Sequence, residues 1–178
     1  MKGLKKHNIV WTVFFLATLL LSLAAVASAQ EDRGCSAASV AGEWGYSETG
    51  TLYVPTGPVP YASVGTFTLD RDGNYLGERT ASVGGKIVTA AFKGTATVNS
   101  DCTGKVTISF YDQAGNVTST AAKFLVFVDN SRGARAIATS VEQVLPNGTS
   151  VSLPAVLTTD AKKQFAGHQH IRAKDRSK

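Results

Sequence analysis

Between Gly42 and Leu157 apolar and polar residues change places every second position, in runs broken by turn residues. Val88, Ala90, Phe92, Ala96 and Val98 share one face of such a run, with Thr89, Thr95 and Thr97 on the other. Val106, Ile108 and Phe110 alternate with Lys105, Thr107, Ser109 and Tyr111; Ile137 and Val141 alternate with Ala136, Ala138 and Ser140; Val151, Leu153 and Ala155 continue the theme. A period of two turns one face of a strand to a core and the other to water. Breaks fall at Asp70-Arg71-Asp72-Gly73-Asn74, Gly84-Gly85, 99–104, 112–116, 130–133 and Pro146-Asn147-Gly148, each with a Gly or Asn for the positive φ of a tight turn. The runs between them, 43–53, 62–69, 74–82, 86–98, 105–111, 117–129, 134–145 and 149–157, predict eight strands in an antiparallel meander. No long helical stripe follows Gln30. Eight such strands can close into a barrel and leave no exposed edge, so the expected fold is all-β, a single eight-stranded antiparallel barrel.

The inward set read from this pattern is Phe67, Leu69, Phe92, Val106, Ile108, Phe110, Phe124 and Val126. One strand departs from the alternation: Phe124-Leu125-Val126-Phe127-Val128 is apolar on both faces. Its outer side calls for a cover, either the segment 52–62 with Pro55, Pro58 and Pro60 or a second subunit, because an exposed apolar patch invites association.

Ahead of the strands the pattern is of another kind. Lys2, Lys5, Lys6 and His7 precede an uncharged apolar run from Ile9 to Val26, and Ala27-Ser28-Ala29 closes it. This is the layout of a secretory signal cleaved after Ala29, against the alternative of an uncleaved anchor. Cys35 stands too far from the small residues to be a lipid-attachment site. The expected organisation is a signal peptide over 1–29, a barrel over 30–160 and a basic, disordered tail over 161–178, with the mature chain starting at Gln30 in the periplasm or outside the cell.

Cleavage changes the charge. The whole chain carries +5; the mature part has 15 basic against 13 acidic residues, with the body 30–160 net acidic and the excess of bases in the tail. An acidic body offers no footprint for nucleic acid, and nothing in the mature strands suits stable membrane insertion, since one face of most of them is Thr and Ser rather than lipid-facing. The charged fraction is 17%, below the usual quarter, as in an extracellular β-protein with a hydroxyl-rich surface. In an oxidising compartment Cys35 and Cys102 most simply pair with each other.

Gly42-Glu43-Trp44 opens the first strand. Here the sequence resembles the calycins, the small barrels of lipocalins and their relatives, in which Gly-x-Trp begins strand one and the Trp plugs the barrel floor; it also looks like the allene-oxide-cyclase-like barrels of secreted bacterial proteins. The resemblance implies a basic residue late in the barrel packed on Trp44, for which Arg132 and Arg135 are candidates. Avidins share the Cys…Gly-x-Trp opening but stack biotin on further tryptophans, and Trp44 is the only one in the mature chain.

Catalytic chemistry has little to work with. Residues 30–160 contain no His, which removes Ser-His-Asp and Cys-His nucleophile systems. Paired carboxylates drawn from Glu43, Glu48, Glu78 or Glu142 remain open, as does a cofactor-free cyclase or isomerase acting by shape. Asp70 to Asn74 is spaced like the start of a calcium loop, but Glu78 falls too early to complete one, and a hairpin turn is the simpler reading. His168-Gln169-His170 supplies two imidazoles without a third ligand. Asn116-Val117-Thr118 and Asn147-Gly148-Thr149 match a glycosylation sequon and serve equally as turn residues. No metal or cofactor is expected. The leading expectation is a binding module for a small apolar ligand, its lumen lined by Trp44, Phe67, Phe92, Phe110 and Phe124. The alternative is a non-enzymatic structural or interaction protein of the cell envelope that self-associates through Phe124–Val128.

Overall fold

The computed structural model describes residues 34–164; the signal segment, the start at Gln30, His168, His170 and most of the basic tail lie outside them. A four-residue helix α1 (Ala37–Val40) is followed by nine strands: β1 (Gly42–Val54), β2 (Gly57–Leu69), β3 (Asn74–Val83), β4 (Lys86–Val98), β5 (Thr103–Tyr111), β6 (Val117–Val128), β7 (Gly133–Val144), β8 (Ser150–Ser152) and β9 (Ala155–Lys163). Each strand from β1 to β7 pairs antiparallel with the next, and β9 pairs with both β7 and β1. The sheet therefore closes into an eight-stranded barrel, as the alternation requires, with β8 as a short addition on β7.

The eighth run of the sequence is thus divided. Pro154 has no N–H to give to a ladder, and the chain breaks between β8 and β9; Leu153 N still donates to the Val141 carbonyl at 2.8 Å, and Tyr53 N to the Pro154 carbonyl at 2.8 Å. β9 then runs to Lys163, past the expected domain limit at residue 160.

The two ends of the barrel differ. At one end Ser36 caps α1 through a reciprocal pair with Ser39, and the helix places Val40, fully buried, over Trp44. Trp44 is itself 0% exposed, and its indole N–H donates to the Val40 carbonyl at 3.1 Å. A Cys35–Cys102 disulfide ties this cap to the β4–β5 turn, beside a Cys35 N to Ser100 carbonyl bond of 3.1 Å. Leu69, Phe127, Ala134 and Ala161 complete the plug.

Above it the middle of the barrel is filled by aromatic rings. Phe67 stacks on Trp44 at 5.8 Å between centroids and meets Tyr75 at a tilt at 4.5 Å, Tyr75 stacks on Phe92 at 5.3 Å, and Phe92 meets Phe110 edge-on at 5.7 Å. Such rings need small partners facing them in the barrel wall. Gly77 and Gly65 supply these: a Cβ on Gly77 would stand 2.7 Å from Phe92 Cζ, and one on Gly65 2.9 Å from Tyr46 Cε1.

Three sequence expectations are corrected here. Phe124 and Val126 face outward, 38% and 40% exposed; the inner face of β6 is Ala121, Lys123, Leu125 and Phe127. The segment 52–62 does not cover them, because its residues from Gly57 on are hydrogen-bonded in β2 between β1 and β3. Ile137 also faces out, 48% exposed, while Val141 faces in. A bulge in β7 accounts for this: Lys123 pairs with Ala138 and Ala122 with Ser140, so Thr139 is an extra residue and the faces exchange across it.

The Asp70 to Asn74 segment is a turn that uses its own carboxylate. Asp70 Oδ1 accepts from Asp72 N at 2.9 Å and Asn74 N at 2.8 Å, and Oδ2 accepts from Asn74 Nδ2 at 2.6 Å.

Candidate functional site

The end opposite α1 is open. Here, around the β1–β2, β3–β4, β5–β6 and β7–β8 turns, the barrel holds a cavity of about 250 Å³. Its rim is mostly apolar, Leu52, Val54, Val83, Val141, Leu153 and Leu157, with Thr118, Ser119 and Gln143 among them. Its floor is charged, formed by Glu48, Tyr61, Arg79, Lys123 and Phe110. Strand parity explains how these groups come inside. Trp44, Tyr46 and Glu48 alternate along β1, so burying Trp44 commits Glu48 to the interior, as Tyr75 and Gly77 commit Arg79 on β3.

Lys123 from β6 crosses to Glu48, its Nζ donating to Oε1 in an ion pair whose side chains are 7% and 3% exposed. Thr159 of β9 joins both partners, accepting from Lys123 Nζ at 3.0 Å and donating to Glu48 Oε1 at 3.1 Å. Tyr61 OH donates to Glu48 Oε2 at 3.4 Å and accepts from Arg79 Nη1 at 2.9 Å. The guanidinium carbon of Arg79 lies 3.6 Å from the centre of the Phe110 ring. Two buried polar side-chain atoms among the described residues lack a hydrogen-bond partner, Ser63 Oγ and Arg79 Nε.

Burial pushes the Tyr75 phenol well above its ordinary 10.0. It likewise raises Tyr46 and Tyr61, with the positive charge of Arg79 working against the shift. These phenols hold their protons in the folded state while the unfolded chain loses them near 10.0. Their contribution to stability is therefore complete below pH 10.0 and drains away as the pH climbs above it, at up to about 1.4 kcal/mol per pH unit for each tyrosine. In Tyr75→Phe the loss of stability on raising the pH from about 9 to about 11 should be visibly smaller than in the parent, measured by urea midpoints; equal slopes would show that Tyr75 ionises freely.

Of the five residues expected to line a lumen, Phe110 alone does so. Trp44, Phe67 and Phe92 belong to the packed plug and aromatic layer, and Phe124 is on the outside. Trp44 is fully buried among Val40, Leu69, Phe127, Ala134 and Ala161; the cavity described above lies at the far end. Among the described residues the candidate carboxylates are not brought together as a pair: Glu43 and Glu78 are exposed, Glu142 is half-buried on β7, and Glu48 is engaged with Lys123. The basic residue against Trp44 is neither Arg132 nor Arg135 but Lys163 of β9, its Nζ 5.8 Å from the ring centre and donating to the Ser39 carbonyl at 3.2 Å. Lys163 falls in the segment expected to be tail, which is why sequence reasoning passed over it. On the outer wall Phe124, Val126 and Ile137 line a shallow groove with Ser47, Thr158 and the Arg135–Asp160 pair.

No protein-family model matches the sequence, and no curated protein matches it. Among solved structures the chain is similar to EF1p2_mFAP2b bound to DFHBI, with 13% identity and a TM-score of 0.48 over 73% of this chain and 100% of that one. It is also similar to a redesigned beta barrel, mFAP1, bound to DFHBI, with 15% identity and a TM-score of 0.46 over 72% and 98%. The barrel assignment rests on the strand pairing described above.

Proposed function

We propose that this protein is an exported binding protein, calycin-like in build, that takes a small, largely apolar ligand into the open end of its barrel. The observation that carries the reading is the asymmetry of the barrel. One end is plugged by α1, Trp44 and the disulfide, and the other is an apolar-rimmed cavity of about 250 Å³. That volume is below the ~300–1,000 Å³ of drug-sized sites, so the ligand is small or only one end of it enters. Export is supported by the signal-like pattern of residues 1–29 and by the disulfide, which belongs to oxidising compartments. The calycin relation is supported by Gly42-Glu43-Trp44 together with Lys163 over the indole.

Native mass spectrometry of protein purified from its source, paired with titration of an apolar fluorescent probe, tests the reading. One bound molecule per chain and saturable probe binding are expected; no adduct and a linear, non-saturating titration would overturn it. A second reading, a protein that associates through its outer wall, is favoured by the exposed Phe124, Val126 and Ile137. Light scattering separates the two, since a strict monomer at high concentration leaves that groove without a self-association role.

A further inference from the structure

We propose that the cavity is built for a single negative charge, a carboxylate, carried on a short apolar chain, with Arg79 as its anchor; this deepens the binding reading above and rests on it. The inference begins with a charge count. The cavity floor holds one anion, Glu48, and two cations, Lys123 and Arg79. Lys123 is taken up by Glu48 and Thr159. The ion pairs among the described residues are that one and Arg135–Asp160 on the outer surface, so Arg79 faces no carboxylate of its own.

The second strand of the case is the state of the guanidinium. It has five N–H donors in a flat fork. Among the described residues one donor is used, from Nη1 to Tyr61 OH, and Nε is buried without a partner. The guanidinium carbon sits over the Phe110 ring, 3.6 Å from its centre, and that contact holds the fork in place. Arg79 is half-buried at the cavity, and a carboxylate, which accepts from two N–H groups at once, suits a guanidinium short of acceptors better than any neutral group.

The arrangement around Arg79 sets the rest of the ligand. The charged groups lie at the floor and Leu52, Val54, Val83 and Leu153 at the rim, so the head group enters first and an alkyl chain trails toward the mouth. One missing charge suits a monoanion; a doubly charged head would leave an excess negative charge beside Glu48.

The test compares octanoate, 1-octanol and octyl phosphate on the full mature protein by isothermal titration calorimetry. Octanoate is expected to bind at least about tenfold more tightly than octanol, and more tightly than octyl phosphate, a tenfold step corresponding to about 1.4 kcal/mol. Arg79→Met should bring the octanoate and octanol affinities to within about twofold of each other; Arg79→Lys, which keeps the charge and the packing length, serves if the Met variant does not fold and should retain only part of the preference. Equal affinity of the parent protein for octanoate and octanol overturns the proposal and leaves the binding reading standing. Tighter binding of octyl phosphate overturns the monoanion assignment. Failure of all three, together with the absence of saturable dye binding, removes both.

Discussion

Glu48→Gln is expected to be among the most destabilising substitutions in the chain, lowering the unfolding free energy by about 4 to 5 kcal/mol, and Lys123→Met by about 3 kcal/mol. Both side chains are buried inside the barrel, where a charge that loses its partner keeps its desolvation cost. The order follows from the surroundings. Removing Glu48 leaves the buried Lys123 ammonium with Thr159 alone; removing Lys123 leaves Glu48 still accepting from both Thr159 and Tyr61. Replacing both by apolar residues of similar volume, Glu48→Leu with Lys123→Met, should recover much of the loss, because a buried pair and a packed apolar pair are often close in free energy. A double-mutant cycle from urea unfolding measures the coupling. Additive single effects would show that the two charges do not depend on each other.

Opening the disulfide is expected to cost about 4 kcal/mol, the chain-entropy value for a 67-residue loop, and to lower Tm by about 15 °C for a domain of this size. The loss concentrates at the plugged end. Cys35 anchors the segment that carries Val40 onto Trp44, and the rest of that anchoring is the Cys35 N to Ser100 bond and the indole bond to Val40. Thermal unfolding of the oxidised protein, of the same protein held reduced, and of Cys35→Ser/Cys102→Ser gives the comparison. A shift below about 1 kcal/mol in both the reduced protein and the double variant would overturn the chain-entropy value.

How much of this was legible in the sequence depends on the strand. Where one face is Thr-rich and the other apolar, as in β4 and β5, alternation marks the inner residues correctly, Phe92, Val106, Ile108 and Phe110 among them, and the limits of β4, while β5 begins at Thr103, two residues before the expected 105. β6 is apolar on both faces, so hydropathy assigns no face to it, and the natural guess puts its charged residue outside. The reverse holds because Lys123 meets Glu48, 75 residues away. A signal for this was present: once Trp44 is placed inside, parity places Glu48 inside, and a buried carboxylate requires a cation on another inner face. The β7 bulge left no such mark, as Thr139 is an ordinary strand residue, and Ile137 was misplaced with it. The position of the cavity could not be read at all, since it depends on which end of the barrel the short helix closes.

The pairing of β9 with β1 has a consequence for how the protein comes into being. Glu48 and Thr159, joined across that seam, are 111 residues apart in the chain, and the strands between them line up in the order in which they are made. Every ladder but those made by β9 can form as the polypeptide emerges, yet the ring stays open until this last strand arrives. Closure is then a late, long-range event of the slow kind. Until it happens the sheet has a free edge on β1, and Glu48 lacks one of the groups that hold it. The closed barrel is therefore out of reach until the segment 155–163 has been made.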